Sequence, residues 1–146
     1  VEPLSEDFDP DMTTRQRVAH QTKEINCKSC HSVINPLGFS FENYDAVGRF
    51  REKEKEHPID ASAVYLTPAG ESIRLGGVSD LAEFLIADPD AHRSFIEQLF
   101  QHIAHQPLAA YGVGRIDELV DVFNKQNFSV KKLLVEMAII VAQGPQ

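Results

Sequence analysis

Apolar residues recur so closely over residues 130–142 that they nearly encircle a helix, with Ser129 standing before it as an N-cap; the pattern marks this segment as the most buried element of the chain. Over 90–105, Phe95, Ile96, Leu99, Phe100 and Ile103 form one stripe at three-and-four spacing, which predicts an amphipathic helix. A shorter helix is predicted over 116–125. Another runs from Ser79 as cap through Ile86 and breaks at Asp88-Pro89, and residues 107–112 make a single helical turn at most. Near the start, Thr13 and Gln16 have capping-box spacing and open a short polar helix through about Lys23. Two β-prone runs, 63–66 and 72–75, flank the turn signal Thr67-Pro68-Ala69-Gly70 and predict a hairpin. Residues 32–50 read as a compact loop rich in aromatics with one helical turn around 41–45, and the charge run 51–57 as a solvated loop or helix end. The expected fold is mainly α, about five helices with one small β-hairpin.

Size and charge narrow the classes. At 146 residues one domain is expected, and residues 1–12, with five acids and two prolines, read as an acidic N-terminal arm or linker end before a domain over 13–146. The chain starts at Val1 without an initiator Met, which suggests a processed product or a piece of something longer. Fourteen Lys and Arg against 22 Asp and Glu leave a formal charge of -8, the wrong sign for neutralising phosphates over a broad surface, so nucleic acid is not an expected partner. No apolar run approaches the length of a membrane span.

The chemistry lies in Cys27-x-x-Cys30-His31, the attachment signature of c-type haem. Two thiols one helical turn apart each add to one haem vinyl group, and the adjacent imidazole then lies under the iron, so three neighbouring residues fix position, orientation and one axial ligand. The rivals are weaker. A thioredoxin-like dithiol expects a βαβ context, and a zinc site needs two more ligands, for which His102 and His105 are too closely spaced. The second ring nitrogen of His31 needs an acceptor, and a carbonyl from Asn35 or Pro36 is within reach, although Asn35-Pro36-Leu37-Gly38 also reads as a plain turn. Arg49 and Arg51 are candidates for the haem propionates, Arg49 the better of the two. For the sixth position the candidates are His102, which borders the apolar stripe of its helix, Met137 in the last helix, and Met12 in the arm.

Met12-Thr13-Thr14-Arg15, Cys27 to His31, the run from Ile34 to Phe39, the run from Glu42 to Arg51, Pro58-Ile59-Asp60-Ala61, and Gln106-Pro107 with Ala110-Tyr111-Gly112 together carry an extended resemblance. They resemble the monohaem cytochrome c-like domains found toward the C-termini of large exported proteins of planctomycetes and of some polysaccharide-degrading bacteria. The resemblance implies one covalent haem c, a helical domain built around it, and a periplasmic or extracellular location, often in fusion with carbohydrate-binding modules. It also favours His102 as sixth ligand over the alternative Met137. The function expected is one-electron transfer to or from a redox protein, a secreted polysaccharide-active oxidoreductase being one such partner. A haem enzyme or gas sensor with an open or displaceable sixth position is the alternative, and a haem that merely staples a helical core is a third. A non-enzymatic role is favoured because no acid-base constellation stands beside the motif.

Overall fold

The computed structural model describes residues 9–145; most of the expected N-terminal arm lies outside them. Among the described residues are six α-helices and two small antiparallel hairpins, and the chain divides into two compact units, Val1–Phe84 and Leu85–Gln146.

In the first unit α1 (Thr14–Gln21) opens on a complete capping box: the Thr13 hydroxyl accepts from the Gln16 N–H at 3.3 Å, and Gln16 Oε1 accepts from the Thr13 N–H at 2.8 Å. Then α2 (Ile25–Phe39), a helix not among the five expected, takes in residues 32–39 of the segment expected to be a loop and carries Pro36 inside it, whereas 41–50 are turns without a helical turn. Proline removes one intrahelical hydrogen bond, that to the Ser32 carbonyl, and Ser32 is exposed, where solvent takes the place of the lost donor. The charge run is likewise not a plain loop. It forms β1 (Lys53–Glu54) and β2 (His57–Pro58), which pair antiparallel around Lys55 in the left-handed region at φ 55°. The predicted hairpin forms at the expected residues as β3 (Ala63–Leu66) and β4 (Ser72–Leu75), with Ala63 opposite Leu75 and Leu66 opposite Ser72. The helix after it, α3 (Val78–Ala87), starts two residues earlier than the Ser79 cap predicts; the Gly77 carbonyl accepts from the Leu81 N–H at 3.2 Å. Burial is sparse in this unit. Ala61, Leu75 and Leu81 are its buried apolar residues among those described, and neither α1 nor α2 has a buried residue.

The second unit is packed more conventionally. Asp88 caps α4 (Pro89–Ala104) by accepting from the Asp90 N–H at 3.1 Å, Pro89 occupies the first helical turn, and His105 ends the helix in the left-handed conformation. A 3-10 turn (Leu108–Tyr111), α5 (Arg115–Lys125) and α6 (Val130–Gln143), capped by Ser129, complete it. Ile96 and Phe100 of α4, Leu108 and Tyr111 of the turn, Leu119 and Phe123 of α5, and Leu133, Met137 and Ile140 of α6 form its core. The last helix is not buried all round as its composition suggested. Leu133, Met137 and Ile140 face the core, whereas Val135 and Ile139 are about half exposed (54% and 46%), so one face alone is covered.

Candidate cofactor site

The motif lies on one helix. At about 100° per residue, Cys27, Cys30, His31 and Ile34 share a face of α2 little more than a quarter-turn wide. Both thiols are free, Cys27 half-buried and Cys30 exposed; the Ser29 hydroxyl donates to the Asn26 carbonyl at 3.2 Å and lies 3.9 Å from the Cys30 sulfur. Apolar side chains stand in the open along the same stretch: Ile34 is 54% exposed, and Ile25 and Val33 are exposed as well. A helix whose apolar side chains stay in water draws little stability from packing; of these three, Ile34 shares the face of the thiols and the imidazole.

His31 is held from one side. Its Nδ1 lies 2.9 Å from Asn35 Oδ1, one helical turn on, and Asn35 Nδ2 donates to Thr22 Oγ1 at 2.8 Å. Thr22 ends α1, where its N–H and its hydroxyl both go to the Val18 carbonyl, the hydroxyl at 2.8 Å. The group facing His31 is therefore the Asn35 side-chain carbonyl, with Pro36 placed inside the helix. Thr22 was not singled out in the sequence, since a threonine nine residues upstream of the imidazole carries no spacing signal.

A polar assembly fastens α1 to the rest of the first unit, and the sequence did not reveal it either. Glu54 Oε2 accepts from the Thr14 N–H at 2.8 Å and Oε1 from the Thr14 hydroxyl at 2.7 Å, while Arg17 and Arg51 approach the same carboxylate at 3.6 and 3.7 Å. Burial pushes the Glu54 carboxyl up, but the two Thr14 bonds and the two guanidiniums outweigh it and hold it below the ordinary glutamate range. Glu42, 3.6 Å from Arg51, goes the other way because burial dominates, with Arg51 opposing and Glu54 adding repulsion. Arg15 donates to the carbonyls of Asp60 and Ser62 at 2.6 and 2.8 Å and lies over the Phe39 ring at 4.4 Å.

The remaining candidates are scattered. Arg49 lies at the surface, 80% exposed, with Nε 2.8 Å from Asp45 Oδ2; its backbone N–H is the main influence holding the Asp45 carboxyl low, against a smaller opposing effect of burial. Arg51 is engaged by Glu42 and Glu54 as described. Met12 donates its N–H to the Asp9 carbonyl, and its own carbonyl accepts from Lys55. In the second unit His102 is exposed on α4, whereas Met137 is fully buried in the core. An apolar groove of about 510 Å³ in that unit is lined by Phe95, Phe123 and Phe128 with His92. Among the described residues no three His, Cys, Asp or Glu side chains converge as a metal site of their own, and no helix is long and apolar enough to cross a membrane.

Residues 1–54, just over a third of the chain and including the whole motif, match the family model described as "PSCyt3: Protein of unknown function (DUF1588)". The family's name hints at a cytochrome-like domain, and its function is not known. No curated protein and no solved structure matches the chain.

Proposed function

We propose that this chain is a c-type cytochrome domain that carries single electrons on one haem held by thioether bonds to Cys27 and Cys30 and ligated by His31. The observation that carries the reading is the motif on one face of α2 with His31 Nδ1 engaged by Asn35, which leaves Nε2 as the nitrogen available to iron. The donor set fits the group. Both thiols are unpaired, the imidazole is oriented, and Ile34 supplies apolar surface beside them. When bound, haem supplies a one-electron ferric/ferrous couple. The chain's own part is to fix it through Cys27 and Cys30 and orient the imidazole through Asn35; Arg49, exposed and paired with Asp45, is the candidate for a propionate.

For the sixth position His102 is the better candidate. That preference comes from the resemblance; within the second unit His102 is exposed on α4 and Met137 is packed in the core. The family name supports the cytochrome reading, and the resemblance set out above supports an exported protein, periplasmic or extracellular, with a redox protein as partner. An acidic chain of net charge -8 suits a partner with a basic patch, and a secreted polysaccharide-active oxidoreductase is the partner the resemblance suggests.

The test is a chain expressed with haem c attachment machinery. Haem should stay with the polypeptide through acid and organic solvent, and Cys27→Ala with Cys30→Ala should abolish that retention. Haem that partitions cleanly into solvent refutes the reading. The reduced protein should be low-spin and slow to bind carbon monoxide; rapid stoichiometric binding transfers the assignment to an enzyme or sensor with an open sixth position.

A further inference from the structure

The hydrogen bonds behind His31 have a direction, and the direction has chemical content. A threonine hydroxyl has one proton to give. Thr22 gives it to the Val18 carbonyl at 2.8 Å, so toward Asn35 the same oxygen only accepts, and the group facing it must be the Asn35 NH2 at 2.8 Å. The Asn35 carbonyl oxygen is then turned to His31 Nδ1 at 2.9 Å, and an oxygen there needs a proton on that nitrogen. From this chain we infer that Thr22 and Asn35 are positioning residues that lock His31 in the tautomer protonated at Nδ1 and bare at Nε2, with a neutral amide as the acceptor behind the ligand. The inference rests on the haem reading for its function, and on the geometry of α1 and α2 alone for the tautomer.

Two consequences separate this arrangement from mere packing. The donor order is set on α1, not on the helix that carries the motif, so a residue that never approaches the iron decides which imidazole nitrogen is available. And the acceptor is uncharged. A carboxylate at the same place would draw the Nδ1 proton more strongly, make the imidazole a more electron-rich ligand and favour the ferric state; the amide keeps the potential higher.

The experiment uses the full chain in two forms. In the haem-free chain, nitrogen-detected NMR of the histidines should find His31 as the Nδ1–H tautomer. Thr22→Val removes the hydroxyl and should give a mixture of tautomers, while Thr22→Ser should restore the single form. In the haem-loaded chain, Asn35→Asp should lower the reduction potential, Asn35→Leu should speed exchange of the Nδ1 proton at least tenfold, and Thr22→Ser should behave as the parent. An Nε2–H tautomer in the haem-free parent, or a Thr22→Val protein whose tautomer and proton exchange match the parent, overturns the inference. So does an unchanged potential in Asn35→Asp. If the chain takes up no haem, the haem reading fails while the haem-free series still decides the tautomer; if the haem-free chain does not fold, the haem-loaded series decides alone.

Discussion

Replacing Glu54 tests whether a carboxylate from β1 holds down the start of α1. The Thr14 N–H is one of the first amides of the helix, which have no partner within it, and Glu54 supplies that partner at 2.8 Å together with a bond from the Thr14 hydroxyl at 2.7 Å. Hydrogen bonds to a charged group contribute about 1.5–3 kcal/mol each, and the Arg17 and Arg51 pairs beyond 3.5 Å add little. Because the two Thr14 bonds share one short segment and are not additive, Glu54→Ala should cost about 2–4 kcal/mol and Glu54→Gln, which keeps an acceptor oxygen without the charge, about half of that. Urea titration near pH 7, followed by amide exchange in α1 as well as by circular dichroism, reads the loss. The pH dependence gives a second check. The folded carboxyl is held low, so its contribution is complete above the ordinary glutamate value of about 4.3 and disappears as pH falls through the lower folded value. The gap between parent and Glu54→Gln should therefore be widest at neutral pH and close on acidification. A loss below about 0.5 kcal/mol for Glu54→Ala, or a gap that does not narrow below pH 4, refutes the reasoning.

Glu42 should behave in the opposite sense: its carboxyl is raised by burial, so its contribution is complete below the ordinary value and is lost as pH rises through the folded one, and Glu42→Gln should gain on the parent between pH 4 and 7 in the same titrations. Met137→Ala should destabilise the second unit by about 2–5 kcal/mol and Met137→Leu by less than about 1.5, measured by thermal melting. In the haem-loaded protein Met137→Leu should stay low-spin by absorption while His102→Ala becomes high-spin. Arg49→Ala should leave stability within about 0.5 kcal/mol, since the residue is at the surface, yet lower the reduction potential if the guanidinium holds a propionate.

What could be read from the sequence was what local chemistry determines. The capping box at Thr13, the Asp88-Pro89 start of α4, Ser129 before α6 and the turn between β3 and β4 are each set by neighbours in the chain, and the elements stand within a residue or two of where those signals put them. The helix α2 was not expected at all: its apolar residues make no stripe facing a core, and Asn35-Pro36-Leu37-Gly38 carries a turn signal that the helix overrides. The hairpin of β1 and β2 was hidden for a related reason: a run of alternating charges shows no apolar face, and what makes Glu54 turn inward is the end of a helix forty residues earlier. In α6 the composition was read correctly but not its surroundings, because an apolar residue is compatible with burial without guaranteeing it. The motif itself was legible in full. Its supports were divided: Asn35 follows at helical spacing from His31, whereas Thr22 reaches it through the fold.

The unequal burial of the two units shapes how each tolerates change. Saturation mutagenesis of residues 85–145, scored by folding, should show intolerance concentrated at the nine core positions, with hydrophobic exchanges of similar volume surviving there and nearly anything accepted between them. The α1 and α2 segments have no such positions, and a folding screen would find them permissive apart from Thr14, Arg15 and a few partners of Glu54. On the haem reading, a second library over residues 9–84 scored by cofactor retention would instead find Cys27, Cys30 and His31 nearly invariant. On that reading, packing constrains the second unit and reactivity the first, so a substitution that stabilises the core around Met137 says nothing about which residues the motif tolerates.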